Sequence, residues 1–431
     1  MTPSVPFAER WKIIMKVIVA HPGKQHSMHT AIAFEKKEAL LTYITTVYDK
    51  PGSVTHFVTG LLSGKDQKKA KSRKNDNLPN EKIKLICEIE GLCLLLIMRI
   101  PGVKRLWGLF NDIIVKKFGR KVAKYAIKNE ADVLIMYDGT CNEAFRYIKK
   151  YAPNIKCILD CSISNRVYNK KVYEEDIDKT GDKAILQEQA YLWGKKGVQP
   201  FYEEVKFSDY FLAASSFVAN SLKYVGAAKN QVKIVPYGVD VSMFSPKDHT
   251  EITKPLRLLY VGGVMRRKGL HHLLKIVSRY SSNEVKLYIA GEFDVNYDLY
   301  KEYSQHDNVE FLGFVTRDKL AEVFKTAHWF ILPSLCEGLA LVGLEAMASG
   351  LPIICSTNTG VNDLVENYKN GIVFDAMDDD ALEDCINWAL DNMDRIEQMG
   401  NLARECALNY TWENYYNKLY HVIEEIVEES I

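Results

Sequence analysis

No run of this sequence is apolar over the roughly 20 residues that a membrane-crossing helix needs. The longest, Leu92 to Met98, is bounded by Glu88, Glu90 and Arg99, so a bilayer-spanning chain is not expected. Met1 to Trp11 has no apolar h-region, and no signal peptide is expected there. "MKVIVAHPGKQHS" opens directly on a strand and makes Met15 a candidate start. The nine cysteines include no CxxC pair. Cys157 and Cys161 have no histidine or second cysteine pair nearby to complete a zinc site, so the thiols read as buried or idle in a reducing cytoplasm. No GxxxxGKS or GxxxxGKT and no GxGxxG occurs, which excludes a Walker loop and disfavours a nicotinamide dehydrogenase. An excess of one charge is missing too: 56 Lys+Arg against 55 Asp+Glu leave +1, and no nucleic-acid partner is expected.

What is present is alternation. At 431 residues the chain exceeds what one hydrophobic core usually supports, so two domains are the default. Apolar strands are predicted at Ile13–Ala20, Leu41–Val47, Asp132–Tyr137, Ile155–Asp160 and Tyr210–Ala214. A loop, "HPGKQHS", and a helix to about Leu40 follow the first. A second series is predicted at Leu256–Val261, Val285–Ala290, Val309–Leu312, Trp329–Leu332 and Ile353–Cys355, with helices beginning near Gly269, Asp318, Gly338 and Asp378. Continuous apolar strands separated by helices imply parallel sheets covered on both faces. The polar break "MFSPKDHTEITKP" divides an N-terminal domain, 1–245, from a C-terminal one, 246–410, and leaves 411–431 as a helix returning to the first. The fold class is α/β: two doubly wound, Rossmann-like domains facing across a cleft, with ligand at the carboxyl ends of the strands.

Two segments stand outside this pattern. Residues 64–82, "GKDQKKAKSRKNDNLPNEK", have almost no apolar content and read as a mobile, solvated insertion. Lys104 to Lys128 reads as a helix carrying Lys104, Arg105, Lys116, Lys117, Arg120, Lys121, Lys124 and Lys128, with Trp107, Phe110, Ile114 and Phe118 interleaved. Such a helix can lie on an anionic membrane; it can equally be a core helix with a solvated outer face.

Chemistry concentrates in the second half. In "LPSLCEGLALVGLEAMASGLPIICS", Leu332 to Ser356, a strand runs into a loop ending at Glu337, and a helix is predicted from Gly338. The N–H groups of Gly338, Leu339 and Ala340 would form an anion- or hydroxyl-binding end. Glu345 lies eight residues after Glu337. Two carboxylates so spaced can accept hydrogen bonds from several sugar hydroxyls, or one can complement the helix dipole while the other is a surface residue. In "LLYVGGVMRRKGLHHLLKIV" a strand ends in Gly262-Gly263, and Arg266-Arg267-Lys268 precede a helix. That order suits a phosphate; a charged turn before an amphipathic helix is the alternative.

The ordered series "YFLAASSFVANSLKYVG", "VKIVPYGVDVSMFSP", "YVGGVMRRKG", "FLGFVTRDKLAEVF", the Glu337/Glu345 pair, "NGIVFDAMDDDALEDCINWAL" and "YTWENYYNKLY" resembles the retaining glycosyltransferases of family 4, which have the GT-B fold. The match covers Asp209 to Tyr420 by motif and the first half by topology. The resemblance implies that Glu337 faces the donor sugar at the reaction centre and that Glu345 holds the ribose hydroxyls. It also implies that Lys268 neutralises the diphosphate, that Gly338, Leu339 and Ala340 donate around the sugar, and that Val315 meets the base. Gly23 matches the glycine that lets backbone approach the diphosphate.

Three positions depart from the family. Gly263 stands where an arginine is usual, and Arg267, beside Lys268, is the chosen replacement cation. The first loop has a lone glycine in place of a pair. "MYDGT" and "LDCSIS" end on Asp138 and Asp160 where a histidine is common. His21, His26, Asp138 and Asp160 are therefore acceptor-side candidates, with satisfied loop histidines as the alternative for the first two. "DDD", Asp378 to Asp380, is better read as a helix cap than as a metal motif.

The implied reaction moves a hexosyl group from a nucleotide-diphosphate sugar, UDP- or GDP-linked, to a hydroxyl of a saccharide or lipid-linked acceptor, in cell-envelope polysaccharide or glycolipid synthesis. The anomeric configuration is retained. No cofactor beyond this co-substrate and no metal is expected. The expected location is cytoplasmic, peripheral on the inner face of the membrane. A catalytically idle GT-B nucleotide-binding subunit, or a sugar-nucleotide epimerase on the same architecture, is the rival reading.

Overall fold

The computed structural model describes residues 15–23, 25–100, 107–246 and 252–429. Ile13, Ile14, Lys104, Arg105 and 247–251 of the polar break lie outside them. The described chain packs as two compact units. One holds the residues up to Met136, with 143–158 and those from Leu419 on; the other holds 137–142 and 159–418.

Seven strands, β1 (Val17–Ala20), β2 (Leu40–Thr45), β3 (Ile83–Leu85), β4 (Val133–Tyr137), β5 (Lys156–Cys161), β6 (Tyr210–Ala213) and β7 (Val232–Ile234), form a sheet of order β3-β2-β1-β4-β5-β6-β7. Six more, β8 (Leu256–Val261), β9 (Val285–Ala290), β10 (Val309–Gly313), β11 (Trp329–Leu332), β12 (Ile353–Ser356) and β13 (Gly371–Phe374), form a second sheet of order β10-β9-β8-β11-β12-β13. β8, β9 and β11 occupy the predicted residues. Short strands β3, β7 and β13 were not anticipated: three or four residues with one glycine or lysine give too little apolar run to register.

Two other expectations change. The first helix, Ser27–Glu35, stops five residues early, because Leu40 already opens β2. The basic insertion is not wholly solvated: Gly64–Lys71 is helical, the Tyr48 hydroxyl donates to the Asn75 carbonyl at 3.0 Å, and Leu78 is buried.

The second sheet reads as its composition dictates. Its strands are covered on both faces, so Leu258, Leu259 and Tyr260 on β8 and Trp329 to Leu332 on β11 are fully buried, and alternation disappears. Strand order reverses between β8 and β11, which pair in parallel with Trp329 opposite Leu258. At such a switch point the two following crossovers leave in opposite directions, opening a crevice at the strands' carboxyl ends. β8 leads through Gly262-Gly263 to a 3-10 turn, Arg266–Lys268, then to Gly269 and the helix Leu270–Val277. β11 leads into Pro333 to Ala340 and the helix Leu341–Ala348.

The two connections touch at Gly269. Its φ is +67°, and a Cβ there would stand 1.8 Å from the Pro333 carbonyl oxygen. Gly181 also has positive φ, +73°, but opens onto free space. A left-handed non-glycine costs roughly 1–2 kcal/mol, which is all that Gly181→Ala should lose. Gly269→Ala should lose clearly more, because backbone must move as well. Equal losses in denaturant unfolding would show that the close approach is not a constraint.

Candidate active site at the second sheet's switch point

Glu337 is buried within the β11 connection, and the β8 turn supplies its partners. Lys268 Nζ donates to Glu337 Oε1, Arg267 Nη1 lies 3.5 Å from the same oxygen, and the Ser334 hydroxyl donates to it at 3.2 Å. The backbones are joined as well. Leu335 N–H donates to the Arg267 carbonyl at 3.0 Å, and Arg267 Nη1 donates to the Cys336 carbonyl at 2.9 Å. Glu337 N–H donates to the Asn358 carbonyl at 3.1 Å.

Burial pushes the Glu337 carboxyl up, but the charges of Lys268 and Arg267 outweigh it and hold the carboxyl below its ordinary range. Burial works against the Arg267 guanidinium, and Glu337 more than offsets it. For Lys268, burial together with the like charge of Arg267 prevails over Glu337, and its ammonium lies below its ordinary value. Two cations thus share one carboxylate, leaving one positive charge in surplus (2 − 1). Lys268 has three donors, so a second anion can be bound without breaking the pair.

Glu345 is placed differently. It is buried on the helix Leu341–Ala348, with Arg317 Nη2 3.1 Å from Oε1. Burial raises its carboxyl, and Arg317 offsets this only in part. Arg317 opens the helix Arg317–Phe324, immediately after the segment with half-buried Val315, so the base and ribose candidates share a neighbourhood. That arginine was legible in "FVTRDKL" and was not singled out.

Gly338, Leu339 and Ala340 precede the helix instead of opening it: the helix starts at Leu341. Ala340 N–H already donates to the Thr359 carbonyl at 3.2 Å, and the Gly338 carbonyl accepts from the Ser215 hydroxyl at 2.6 Å. A Cβ on Gly338 would meet the Ser162 carbonyl oxygen at 2.2 Å. Ser162 in turn donates from N–H and hydroxyl to Asp138 Oδ1, at 2.8 and 2.6 Å. Asp138 also pairs with Arg166, which outweighs burial and keeps the carboxyl below its ordinary range. Asp160 is buried, with the Tyr237 hydroxyl 3.5 Å away.

The remaining candidates lie in the first unit. His21 is buried directly after β1, and its Nδ1 accepts from Gly23 N–H at 2.9 Å. The His26 carbonyl accepts from His29 and Thr30 N–H groups at the start of the first helix.

Arg266 does not share the site of its neighbours. Its Nε donates to Asp182 at 2.5 Å, Nη1 to the Tyr297 hydroxyl at 2.8 Å, and Nη1 and Nη2 to Asp298 at 3.0 and 2.5 Å. Its N–H lies 3.1 Å from both oxygens of Glu188. These partners are 31 to 84 residues away in sequence, which is why the turn alone suggested that Arg266 could reach a phosphate.

Residues 243–406 match the family described as glycosyl transferases group 1. The sulfoquinovosyl transferase SQD2 of Arabidopsis thaliana is 28% identical over 243 residues, 52% of this chain and 46% of that one; the chain spans about half the length of the curated relatives it matches. Among solved structures, a sucrose-phosphate synthase from Thermosynechococcus elongatus superposes with a TM-score of 0.67 at 16% identity, covering 96% of this chain and all of that one. The Anabaena HepE protein in complex with UDP gives a TM-score of 0.62 at 14% identity, covering 95% and 100%. These likenesses establish the GT-B fold.

Removing the partner of a buried charge pair typically costs about 3–5 kcal/mol. Arg266→Ala should therefore lower stability, toward the lower end of that range because the Asp298 side chain is 57% exposed. An unfolding midpoint unchanged by this substitution would contradict the structural role of Arg266.

Proposed function

We propose, from the match of residues 243–406 to the group 1 glycosyl transferases, that this chain moves a hexosyl group from a nucleotide-diphosphate sugar to a hydroxyl of a saccharide or lipid-linked acceptor, with retention. The observation that carries this reading is the surplus positive charge on Lys268 and Arg267 beside Glu337. The anomeric carbon–phosphate oxygen bond breaks, the acceptor oxygen bonds the same face of that carbon, and the acceptor proton leaves on the departing phosphate oxygen. Negative charge grows on the diphosphate as the bond breaks, and preorganised donors stabilise that state without reorganising. Lys268 is a point charge; Arg267 adds a planar fork able to hold two phosphate oxygens, the part played elsewhere in the family by an arginine at the position of Gly263. Glu337 orients the lysine and faces the sugar. Glu345 accepts from the ribose hydroxyls. The UDP held by HepE supports a nucleoside diphosphate as leaving group, and the diphosphate charge is met by side chains, with no metal in the transfer step.

The test is incubation with UDP- and GDP-sugars, reading sugar release and product configuration by NMR. Glu337→Ala should chiefly lower kcat, and Glu345→Ala should weaken donor binding by about 1.5–3 kcal/mol. Arg267→Ala should lower kcat/KM at least tenfold, since truncating a desolvated charge partner costs about 2–5 kcal/mol. Inverted product would overturn retention. Donor binding without any release would mark an idle subunit, and full activity in folded Glu337→Ala would remove the site.

A lipid-linked acceptor is favoured by the first unit. The helix Glu88–Ile97 packs against the helices Val54–Leu61 and Trp107–Lys128. Phe57, Leu61, Ile89, Leu109 and Ile113 on these three are 63% to 71% exposed. Further along the last helix, Lys116, Lys117, Arg120, Lys121 and Lys124 line a depression of about 410 Å³ with a single acid, Glu143. Ile114 and Phe118 of the same helix are in the core, so its inner face packs as the core reading expects, and the membrane reading rests on the outer face alone. No helix among the described residues is long and apolar enough to cross a membrane, so this face would lie on an anionic surface. In flotation, vesicles containing phosphatidylglycerol should carry more protein than neutral ones. The difference should shrink as the Debye length falls from about 10 Å at 0.1 M salt to about 3 Å at 1 M. Equal flotation with both lipids would remove the idea.

A further inference from the structure

The helix Leu270–Val277 begins with two buried residues, Leu270 and His271, followed by buried His272. Adjacent helical side chains point about 100° apart, yet both histidine rings converge on Asp176 of the helix Arg166–Thr180. His271 Nε2 is 3.1 Å from Asp176 Oδ2, and His272 Nε2 is 2.8 Å from Oδ1. The ring centroids are 4.1 Å apart. One ligand atom from each of the three residues falls within 4.8 Å of the others, a spacing at which a single ion can bind all three.

The surroundings are those of a metal ligand set. His272 Nδ1 lies 2.6 Å from Asp379 Oδ1, whose other oxygen accepts from Lys275 at 2.7 Å. With carboxylates on both ring nitrogens, His272 donates to Asp176 and to Asp379; an ion bound at Nε2 would take the place of that proton, and Asp379 on Nδ1 would then hold the ring as the outer support of a metal-bound histidine. His271 Nδ1 is buried with no hydrogen-bond partner among the described residues, so its ring can move its proton from Nε2 to Nδ1 without breaking another bond. Both histidines line a pocket of about 600 Å³ that also reaches Asp182, Asp379, Arg266 and Lys275, while Asp176 lies buried behind them, so an ion would approach from the histidine side.

We propose that Asp176, His271 and His272 bind a divalent transition-metal ion, with Zn²⁺ as the probe and Asp379 as the orienting carboxylate. Two imidazoles and one carboxylate suit Zn²⁺ or Fe²⁺, whereas Mg²⁺ and Ca²⁺ take oxygen ligands. The site shares no residue with the Glu337–Lys268–Arg267 cluster and takes no part in the diphosphate chemistry. An ion there would tie the helix Arg166–Thr180 to the start of Leu270–Val277. Sequence spacing could not show it, because 95 residues separate Asp176 from His271.

The full chain, stripped with EDTA and freed of chelator, should take up one equivalent of Zn²⁺ in calorimetric titration and unfold at a higher temperature with Zn²⁺ but not with Mg²⁺. His271→Gln should abolish the uptake, and Asp379→Asn should weaken it about 10- to 100-fold at unchanged stoichiometry. Should His271→Gln not fold, Co²⁺ bound to the wild-type chain gives an independent readout. A visible spectrum of nitrogen and oxygen ligation supports the site, and a thiolate charge-transfer band overturns it by placing the ion on cysteine. Absence of stoichiometric Zn²⁺ in the folded wild type, or wild-type uptake by His271→Gln, also overturns it.

Discussion

Burying two cations with one carboxylate is the arrangement on which the second sheet's switch point depends. Taking an ion out of water costs several kcal/mol unless its remaining donors and acceptors are met. Around Glu337 they are met from both crossovers at once: Lys268 and Arg267 from the turn after β8, Ser334 and the Cys336 carbonyl from the connection after β11. Gly269 allows the two backbones to approach, and the hydrogen bond from Leu335 to Arg267 holds them there. The electrostatics and the backbone path are one requirement, because a displaced loop would leave a buried charge without its partner.

The turn that supplies these cations sorts them. A 3-10 segment has three residues per turn, so neighbouring side chains leave in directions far apart. Arg266 goes to Asp182, Asp298 and Tyr297, which engage its Nε and both Nη atoms. Arg267 and Lys268 are long enough to meet again at Glu337. One of three adjacent charges thus anchors the turn, and the other two carry the surplus that a phosphate would meet.

Glycine positions mark how closely segments approach. At Gly338, which sits against the Ser162 carbonyl, any side chain would displace Glu337 by way of its own backbone. Ser162 is held by Asp138, and Asp138 by Arg166. Asp138 is thereby linked through Ser162 to the loop that carries Glu337.

Much of this was legible beforehand. The strands of the second sheet lie where continuous apolar runs put them, since a strand covered on both faces must be apolar at every position. Glu337 and Lys268 stand out as candidates from motif order alone. Three things were not legible. The helix after Glu337 begins at Leu341, because Ala340 is held by Thr359, a contact from another strand's exit. The basic helix reads as either core or surface from its periodicity; packing decided that Ile114 and Phe118 go inward while Leu109 and Ile113 do not. The fates of Arg266, Arg317 and the pair His271-His272 rest on acids distant in sequence. Local order along the chain determined the elements and the chemistry of each turn; which charges share a carboxylate was left to the tertiary structure, since hydrogen-bond partners far apart in sequence leave no periodic trace.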